Sequence, residues 1–332
     1  MATVVEPTNE NIRSLAEVLR DGGLVAVPTE TVYGLAANGL DADACRRIFE
    51  AKDRPAYDPL ILHLLEPGWI DRIAVGGEAV ARLAERFWPG PLTVVLTKKP
   101  IVPDIVTAGL DSVAVRVPSH PAMRSLLAAC DVPLAAPSAN PFGYVSPTRA
   151  EHVVDGLGDR IDYVLDGGSC QIGVESTIVD LRDPERPVLL RPGGVTPSQI
   201  RGVLGDRLAV GETASEVTEA AQAAPGQLSR HYSPKVRVEL HHRLEPAALP
   251  DRDTDEALVF LSRPGSPDLP SHWHWLSESG DLEEAAARLF ALLRELDAGS
   301  FRTVHVELAP EEGLGLALND RLRRAAQRSQ SS

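Results

Sequence analysis

The sequence predicts an α/β (α+β) fold in which helices flank a twisted, mixed sheet. Short apolar runs typical of buried strands occur at residues 24–27 and 60–64, and apolar residues recur at helical spacing at residues 12–19 and 78–87. Strands and helices are mixed along the chain rather than strictly alternating, which favours a mixed sheet over a purely parallel one. The chain has 332 residues, a length that suits two domains.

Residues that end helices and turn the chain set the element boundaries. Gly22 and Gly23 end the first predicted helix and lead into the strand at 24–27. The Trp-Pro-Gly-Pro sequence at 88–91 ends the helix at 78–87 and starts an apolar strand at 92–96. Further on we predict helices at 43–52, 121–130 and 197–204, a helix capped by Ser146 to Thr148 that runs to Val154, and strands at 60–64, 112–117, 132–136, 174–181 and 187–190.

The composition disfavours several classes of protein. A formal net charge of −14 argues against a broad electrostatic surface for nucleic acid, since phosphate binding needs clustered Lys and Arg. No apolar run is long enough to span a bilayer, and residues 1–11 lack the basic-then-apolar order of a signal peptide, so we expect a cytoplasmic protein without membrane contact. Cys45, Cys130 and Cys170 lack metal-ligand spacing and are expected to be reduced thiols.

The composition changes between two predicted domains. Residues 212–226 are rich in Ala, Glu, Thr and Gln and end in Ala-Pro-Gly, which is typical of a linker. We therefore predict a larger domain at 1–206, a linker at 207–235 and a small C-terminal α/β domain at 236–332. Within the last segment, strands at 257–261 and 303–307 alternate with helices at 282–296 and 316–326, an order that fits a small Rossmann-like three-layer fold.

Lys52 and Arg54 lie between two predicted core strands. Pro55 argues for a loop at this point, from which the two cations can converge on one ligand. There they would hold a polyphosphate, with Lys as a point charge and Arg as a planar fork. The alternative is a solvated surface pair, which the dipeptide alone favours, whereas its position between two core strands favours function.

Other polar residues leave similar alternatives open. Arg116 lies in an otherwise apolar strand and must meet a carboxylate, either of the protein or of a ligand. Ser138 and Asn140 follow a buried strand and either bind a ligand or close a turn, and alone the turn is favoured. His63 closes a strand, where a structural role is the more common one. The Arg-His-Tyr sequence at 230–232 indicates that the linker docks on something or anchors its own packing.

The common nucleotide-binding and hydrolytic motifs are missing from the sequence. It contains no G-x-x-x-x-G-K-[ST], no G-x-G-x-x-G after a strand, no H-E-x-x-H and no G-x-S-x-G. Any ATP would therefore bind without a P-loop.

Eight ordered blocks carry a family resemblance. They are PTETVYGL at 28–35, KDRP at 52–55, PLI at 59–61, WPGPLT at 88–93, AVR at 114–116, APSAN at 136–140, GVEST at 173–177 and LRPG at 190–193. Together they resemble the L-threonylcarbamoyladenylate synthases of the YrdC type, and the segments 225–234 and 313–322 resemble the longer, two-domain form of that family. The resemblance implies a YrdC-like twisted mixed sheet around a concave cavity, with the linker docked over the active site.

The resemblance also implies a reaction. Members are nucleotidyltransferases that convert L-threonine, bicarbonate and ATP into L-threonylcarbamoyl-AMP and pyrophosphate, the first step of N6-threonylcarbamoyladenosine formation in tRNA. The product would pass to a separate tRNA threonylcarbamoyl transferase, with weak or no direct tRNA binding by this chain. Mg²⁺ would accompany the ATP and keep most of its waters, so we predict no direct protein ligands for it.

Residues at matching positions take their roles from the same resemblance. The catalytic set is Lys52, Arg54, Ser138 and Asn140. L-Threonine would contact Thr31, His63, Arg116, Ala136 and Ser176, with Arg116 forking its carboxylate. ATP would contact Arg54, Asp58, Ser112, Ser138, Ser146, Arg191 and Tyr232, and Tyr232 would close the cavity as a lid that excludes water.

Three positions depart from the family pattern. Asp58 stands where a neutral residue is expected, and its charge should repel phosphates unless a metal or Arg54 intervenes. Gln227 and Ser229 stand where the linker more often has Met and an aromatic residue. Two other functions stay open. An RNA-binding or ribosome-maturation module is disfavoured by the net charge, and a carbamoyl transferase by the absence of acylphosphatase-like and zinc-finger segments.

Overall fold

The computed structural model describes residues 1–210, 232–245, 255–266 and 268–327. The elements before residue 211 are β1 (Thr3–Val5), α1 (Asn9–Arg20), β2 (Val25–Val27), β3 (Gly34–Asn38), α2 (Ala42–Lys52), β4 (Ile61–His63), α3 (Ile70–Ile73), α4 (Glu78–Phe87), β5 (Leu92–Thr97), β6 (Ser112–Arg116), α5 (Pro121–Cys130), β7 (Leu134–Ala135), α6 (Ala150–Leu157), β8 (Tyr163–Leu165), β9 (Thr177–Asp180), β10 (Val188–Arg191), α7 (Pro197–Leu204) and β11 (Ala209–Val210). The C-terminal elements are β12 (Arg237–His241), β13 (Glu256–Ser262), β14 (Trp273–Ser277), α8 (Leu282–Ala298), β15 (Thr303–Glu307) and α9 (Gly315–Ala326).

The strands before residue 211 form one mixed sheet, as predicted. Their order is β1-β8-β2-β3-β7-β4-β6-β5-β9-β10-β11. Strands β4 and β6 run parallel with His63 opposite Arg116, and β5 runs antiparallel to β6 with Thr93 opposite the same arginine. Because register partners on adjacent strands point to the same face, these three polar side chains are neighbours on one face of the sheet.

Local sequence explains where several helices begin. Thr8 caps α1 by accepting from the amide of Asn11 at 3.2 Å, and α7 starts with a capping box between Thr196 and Gln199. The cap predicted for α6 at residues 146–148 is wrong. The N-cap residue is Arg149, whose side chain makes no capping hydrogen bond. Ser146 cannot cap the helix because it lies three residues before this position, and its hydroxyl donates to Glu175 Oε1 at 2.5 Å.

The C-terminal unit is a four-stranded parallel sheet within the described residues. Its order is β12-β15-β13-β14, and helices α8 and α9 both pack on the face that presents Ala257 and Val259. The opposite face presents Leu258 and Phe260, which pack with Leu244 and neighbouring tryptophans. The connection from β12 to β13 includes residues 246–254, which lie outside the described ranges. The three-layer arrangement predicted for this domain therefore stays a prediction.

The C-terminal unit packs against the loops of the larger sheet. Val32, Val145 and Val174 share an apolar cluster with residues of α8 and α9. Gly173 has φ of 75°, and a Cβ at this position would lie 2.3 Å from the carbonyl oxygen of Ala286. Glycine is therefore required for this close approach. The predicted linker at 207–235 lies largely outside the described residues, as do Gln227 and Ser229.

The cysteines and the helix lengths bear on two further expectations from the sequence. Cys45, Cys130 and Cys170 are free and buried, in agreement with the prediction of reduced thiols. Among the described helices, each is either too short or too polar to cross a bilayer.

Candidate active site

The turn after β2 presents hydroxyl groups to a cavity between the sheet and the C-terminal unit. Thr29 Oγ1 accepts from the amides of Thr31 and Val32, both at 3.2 Å, and donates to the carbonyl of Val32 at 2.6 Å. These bonds close a tight turn through one threonine side chain. As a result Thr31, which is buried, is held in one orientation beside the sheet.

Residues from distant parts of the chain surround this cavity. Its lining comprises Thr29, Thr31, Val32, Gly34, Arg54, Ile61, His63, Arg116, Ala136, Pro137, Ser138, Glu175, Ser176, Arg191 and Tyr232. The set includes the five residues predicted for the amino acid and four of those predicted for the nucleotide, namely Arg54, Ser138, Arg191 and Tyr232. The structure thus brings both predicted subsites together in one cavity.

Arg116 is anchored by three groups of the protein. Its Nε donates to the carbonyl of Gly90 at 3.2 Å, its Nη1 donates to Thr31 Oγ1 at 2.9 Å, and its Nη2 lies 2.8 Å from Glu30 Oε1. Burial acts to raise the pKa of Glu30, but the charge and hydrogen bonding of Arg116 outweigh it and hold that pKa below its ordinary value. The carboxylate that meets this arginine in the structure is therefore one of the protein's own.

His63 lies beside Arg116 as a neutral imidazole. Burial, reinforced by the positive charge of Arg116, lowers the pKa of His63 to about 3. A group with so low a pKa is a weak base near neutral pH. His63 is therefore suited to hydrogen bonding and shape, rather than to proton transfer.

Lys52 ends α2 and points into the protein. Its Nζ donates to the carbonyl of Ser138 at 2.5 Å and to the carbonyl of Asn140. Burial lowers the pKa of Lys52 well below its ordinary value, and the charge of Arg54 acts in the same direction. Lys52 thus ties the loop after β7 to the end of α2 and does not line the cavity, so its predicted catalytic contact with phosphate stays a prediction.

Arg54 and Asp58 form a buried ion pair at the cavity. Arg54 Nη2 lies 2.9 Å from Asp58 Oδ2, and the same side chain donates to the carbonyls of Asp58 at 3.1 Å and Pro59 at 2.7 Å. Burial raises the pKa of Asp58, and the charges of Arg54, Lys52 and Arg191 act against this increase. The unexpected carboxylate at position 58 therefore serves as the counter-ion that orients Arg54.

Ser176 and Arg191 connect the amino-acid side of the cavity to the nucleotide side. Ser176 Oγ lies 2.7 Å from Thr93 Oγ1 and accepts from Arg191 Nη2 at 3.1 Å, while Arg191 Nε donates to the carbonyl of Ser176 at 3.0 Å. Gly193 permits this arrangement, because a Cβ there would lie 2.4 Å from the amide nitrogen of Thr177. The Leu-Arg-Pro-Gly block thus packs its backbone against the Glu-Ser-Thr block.

Some predicted site residues lie near the cavity without lining it. Asn140 donates to the carbonyls of Pro141 and Tyr144, both at 2.9 Å, and its buried Oδ1 accepts from no described residue. Ser112 begins β6 on the face that carries Arg116, and its buried hydroxyl has no described partner. Ser146 is committed to Glu175. The catalytic role of Asn140 and the contacts of Asp58, Ser112 and Ser146 with ATP stay predictions.

Tyr232 lines the cavity, and residues of the C-terminal helices hold its ring in place. Its ring stacks on Phe290 of α8 with centroids 5.5 Å apart, and the guanidinium carbon of Arg321 of α9 lies 5.3 Å from the ring centroid. Its φ of 63° lies in the left-handed region, which costs a non-glycine residue about 1–2 kcal/mol. Packing by the C-terminal unit therefore maintains a backbone conformation that is unfavourable in isolation.

Neither Arg321 nor Glu175 is among the predicted site residues, although Glu175 lies in a polar cluster at a predicted strand edge. Arg321 is fully buried, and its Nε donates to Glu175 Oε2 at 2.7 Å. Ser146 occupies the other oxygen of that carboxylate. Both residues lie inside blocks that carry the family resemblance, but the sequence gives no sign that residues so far apart form a pair.

Comparisons with known proteins agree with this architecture. The Sua5/YciO/YrdC family model, described as telomere recombination, matches residues 17–193, and the model of the threonylcarbamoyl-AMP synthase C-terminal domain matches residues 195–327. The fold and cavity therefore define a two-domain protein of the Sua5 class. The chain belongs to the Sua5/YciO/YrdC family.

Two of the relatives that match nearly the whole chain are named threonylcarbamoyl-AMP synthase. The threonylcarbamoyl-AMP synthase of Pyrococcus abyssi is 41% identical over 325 residues, which cover 95% of this chain and 94% of the relative. That of Bacillus subtilis is 38% identical over 328 residues, which cover 96% and 94% respectively. The crystal structure of P. abyssi Sua5 complexed with L-threonine matches with a TM-score of 0.86 and 38% identity, covering 99% of this chain and 98% of that one.

Proposed function

We propose that this chain is a threonylcarbamoyl-AMP synthase that uses L-threonine, bicarbonate and MgATP and releases pyrophosphate. The observation that carries the proposal is the convergence of Arg116, Arg54 and Arg191 on one cavity beneath Tyr232. Three cations in one enclosed space suit a reaction in which a carboxylate and a triphosphate must lie side by side. Relatives of this name that match both domains support the same activity.

Arg116 would hold the threonine carboxylate. A guanidinium has five N–H donors, and the protein contacts described above engage three nitrogen atoms once each, which leaves a second hydrogen on each η nitrogen. Those two hydrogens form the planar fork that a carboxylate accepts. The neutral His63 and the hydroxyl of Thr31 would then surround the polar side chain of the amino acid.

Arg54 and Arg191 would neutralise the triphosphate. No described residue accepts a hydrogen bond from Arg54 Nη1, and Arg54 lines the cavity. The threonine amine would attack the carbon of bicarbonate or CO₂ to form a carbamate, with loss of water in the bicarbonate case. A carbamate oxygen would then attack the α-phosphorus as pyrophosphate leaves. Positioning and charge neutralisation carry these steps, without a covalent enzyme intermediate.

The carboxylates nearest the cavity fit a Mg²⁺ ion poorly. Glu30, Asp58 and Glu175 each have one oxygen within 3 Å of an arginine nitrogen, so each carboxylate already neutralises a cation of the protein. Mg²⁺ prefers phosphate oxygens and water when no carboxylate is available. The ion would therefore enter as part of the MgATP substrate, held by phosphate oxygens and water.

The cavity is small in the described form. Its volume is about 50 Å³, whereas ligand pockets commonly measure roughly 300–1,000 Å³. ATP would therefore have to displace Tyr232 on entry, and return of the ring would exclude water from the product. A cytoplasmic location, transfer of the product to a tRNA threonylcarbamoyl transferase and weak tRNA binding remain predictions that accompany this function.

Pyrophosphate release tests the proposal directly. The purified chain should release pyrophosphate from MgATP only when L-threonine and bicarbonate are both present. Arg116→Lys should raise the KM for threonine by about 100-fold and leave the KM for MgATP within a factor of three, because Lys lacks the planar fork. The variant Arg124→Lys, whose arginine donates to the carbonyl of Leu65 away from the cavity lining, is the matched control. Release that is equally fast without threonine would refute the proposed reaction.

A further inference from the structure

A second group of ligating side chains lies on the C-terminal sheet, apart from the candidate active site. Glu239 and His241 are two residues apart on β12, so they point to the same face of the sheet. His305 on β15 is the register partner of Glu239 and points to that face as well. Strand pairing therefore places two imidazoles and a carboxylate together without any contribution from a loop.

Two distances within this group lie on either side of the ligand spacing of a tetrahedral metal site. His241 Nε2 lies 2.9 Å from His305 Nδ1, which in turn lies 3.5 Å from Glu239 Oε2. All three ligating atoms lie within 4.8 Å of one another. Bonds of about 2.0–2.1 Å from zinc to nitrogen and oxygen place neighbouring ligands of a tetrahedron about 3.3 Å apart. Only small side-chain adjustments are needed for one ion to reach all three atoms.

The surroundings of His305 resemble the outer shell of such a site. Glu256 Oε2 lies 3.5 Å from His305 Nε2, on the side of the ring opposite the proposed ion; this is a charge contact, and a small shift would let the carboxylate accept a hydrogen bond from that nitrogen. Arg302 Nη2 lies 3.2 Å from the other oxygen of Glu256 and fixes that carboxylate. A carboxylate behind a ligating histidine selects the tautomer that presents its other nitrogen to the metal and increases the basicity of that nitrogen.

We propose that Glu239, His241 and His305 bind one Zn²⁺ ion per chain. Two imidazoles and a carboxylate suit Zn²⁺, whereas Mg²⁺ prefers oxygen ligands and would not compete. Glu239 Oε1 lies 2.8 Å from Arg237 Nη2, so Oε2 is the oxygen available to the ion. The side chain of Glu239 is 36% exposed, so the ion can be reached from solvent, and a water molecule would fill its fourth position. The ion would link the edge strand β12, which follows Tyr232, to the interior strand β15 of the small sheet.

Calorimetry on the full-length, tag-free chain tests this site. After treatment with a chelator, the chain in excess Mg²⁺ should bind Zn²⁺ with a stoichiometry of one and a micromolar or lower Kd. Glu239→Ala and His241→Ala should each weaken binding at least tenfold. Glu256→Gln, which keeps all three ligands, should weaken it about 10- to 100-fold. His242→Ala, which removes an exposed neighbouring imidazole, is the matched control and should bind as the parent does.

A spectroscopic measurement distinguishes a tetrahedral metal site from a hydrogen-bonded pair of histidines. Co²⁺ bound at the three residues should give the intense visible absorption of a tetrahedral complex, and Zn²⁺ should displace it. The absence of stoichiometric Zn²⁺ binding, or unchanged affinity in Glu239→Ala and His241→Ala, would overturn the proposal and leave a hydrogen-bonded histidine pair. Glu239 is partly exposed and serves as the informative position if variants of the buried His305 do not fold. Neither result depends on the synthase activity.

Discussion

Arg321 on α9 donates from Nε to Glu175 Oε2 at 2.7 Å and thereby joins the C-terminal unit to the wall of the cavity. The same guanidinium faces the ring of Tyr232, with its central carbon 5.3 Å from the ring centroid. One buried arginine therefore supports both the wall and the cover of the candidate active site. This contact gives the C-terminal unit a direct means of controlling how firmly the cavity closes.

Replacing Arg321 with Met should loosen the cover. Loss of the guanidinium leaves Glu175 buried without its cation, at a cost of about 3–5 kcal/mol, and removes one of the contacts that maintain the left-handed backbone of Tyr232. We expect kcat to fall at least tenfold and the ratio of free AMP to threonylcarbamoyl-AMP to rise, because water reaches the product. Quantification of both nucleotides by chromatography provides the measurement.

Two variants identify the cause of that loss. Arg323→Met alters an exposed arginine on the same helix that pairs with Glu311, and it should behave like the parent. The double variant Glu175→Gln, Arg321→Met removes both charges of this buried pair, so it should recover part of the unfolding free energy while the leak to AMP persists. If stability and product retention recover together, the arginine has only a structural role.

Asp58→Asn tests the counter-ion of Arg54. Removing the carboxylate should lower the unfolding free energy of the ligand-free chain by about 3–5 kcal/mol, because a buried cation loses its partner. Arg54 keeps its bonds to two backbone carbonyls, so it stays oriented, and the ATP phosphates then supply the missing negative charge. The increase in Tm caused by ATP should therefore be larger in the variant than in the parent.

Thermal unfolding with and without ATP measures this difference. Asp104→Asn is the matched control, since Asp104 pairs with Lys98 at the surface and is 85% exposed. An ATP-induced shift equal to that of the parent would mean that Asp58 does not compete with phosphate for Arg54.

Lys52→Met should act through the loop at 138–140. The substitution removes the donor shared by the carbonyls of Ser138 and Asn140, and an unsatisfied buried carbonyl costs about 1–3 kcal/mol. We expect kcat to fall more than tenfold with little change in the KM for threonine, because the loop that carries Ser138 shifts. Initial rates of pyrophosphate release at varied threonine supply the test. Lys99→Met, at a half-buried lysine that donates to the carbonyl of Asp71 away from the cavity lining, is the control.

A raised KM for MgATP with unchanged stability would instead favour direct contact between Lys52 and phosphate. That outcome would support the catalytic role implied by the family resemblance over the backbone contacts seen in the structure.

The family resemblance supplies most of the predicted residues that line the cavity, whereas the residue patterns alone predict the strands that carry two of them. The apolar runs that contain His63 and Arg116 predict β4 and β6, and their parallel pairing then brings the two side chains together. Strand β3 was not predicted, because Gly-Leu-Ala-Ala-Asn lacks the β-branched and aromatic residues that mark strands. Strands β1 and β8 are three residues long, too short for a periodic signal, and β1 joins the edge of the sheet by pairing with β8.

The contacts that sequence patterns miss are of two kinds. Lys52 is bound by backbone carbonyls, which every residue has and which therefore leave no trace in the sequence. Arg321 and Glu175 are 146 residues apart and meet only after both units have folded and packed together. A helix pattern predicts α9 and its apolar face, but it gives no reason to expect a fully buried arginine there.

The unfolding free energy should depend on pH through His63. Burial, with the charge of Arg116, lowers the pKa of His63 to about 3 in the folded chain, against about 6.5 when unfolded. Between these values the unfolded chain binds the extra proton, so the unfolding free energy should fall as the pH drops below about 6.5, by up to ~1.4 kcal/mol per pH unit. In His63→Leu this contribution disappears, and denaturant titrations at pH 5, 6 and 7 should give a shallower slope. The exposed-site control His242→Ala should keep the parent slope. Equal slopes in parent and His63→Leu would show that this imidazole is protonated in the folded chain.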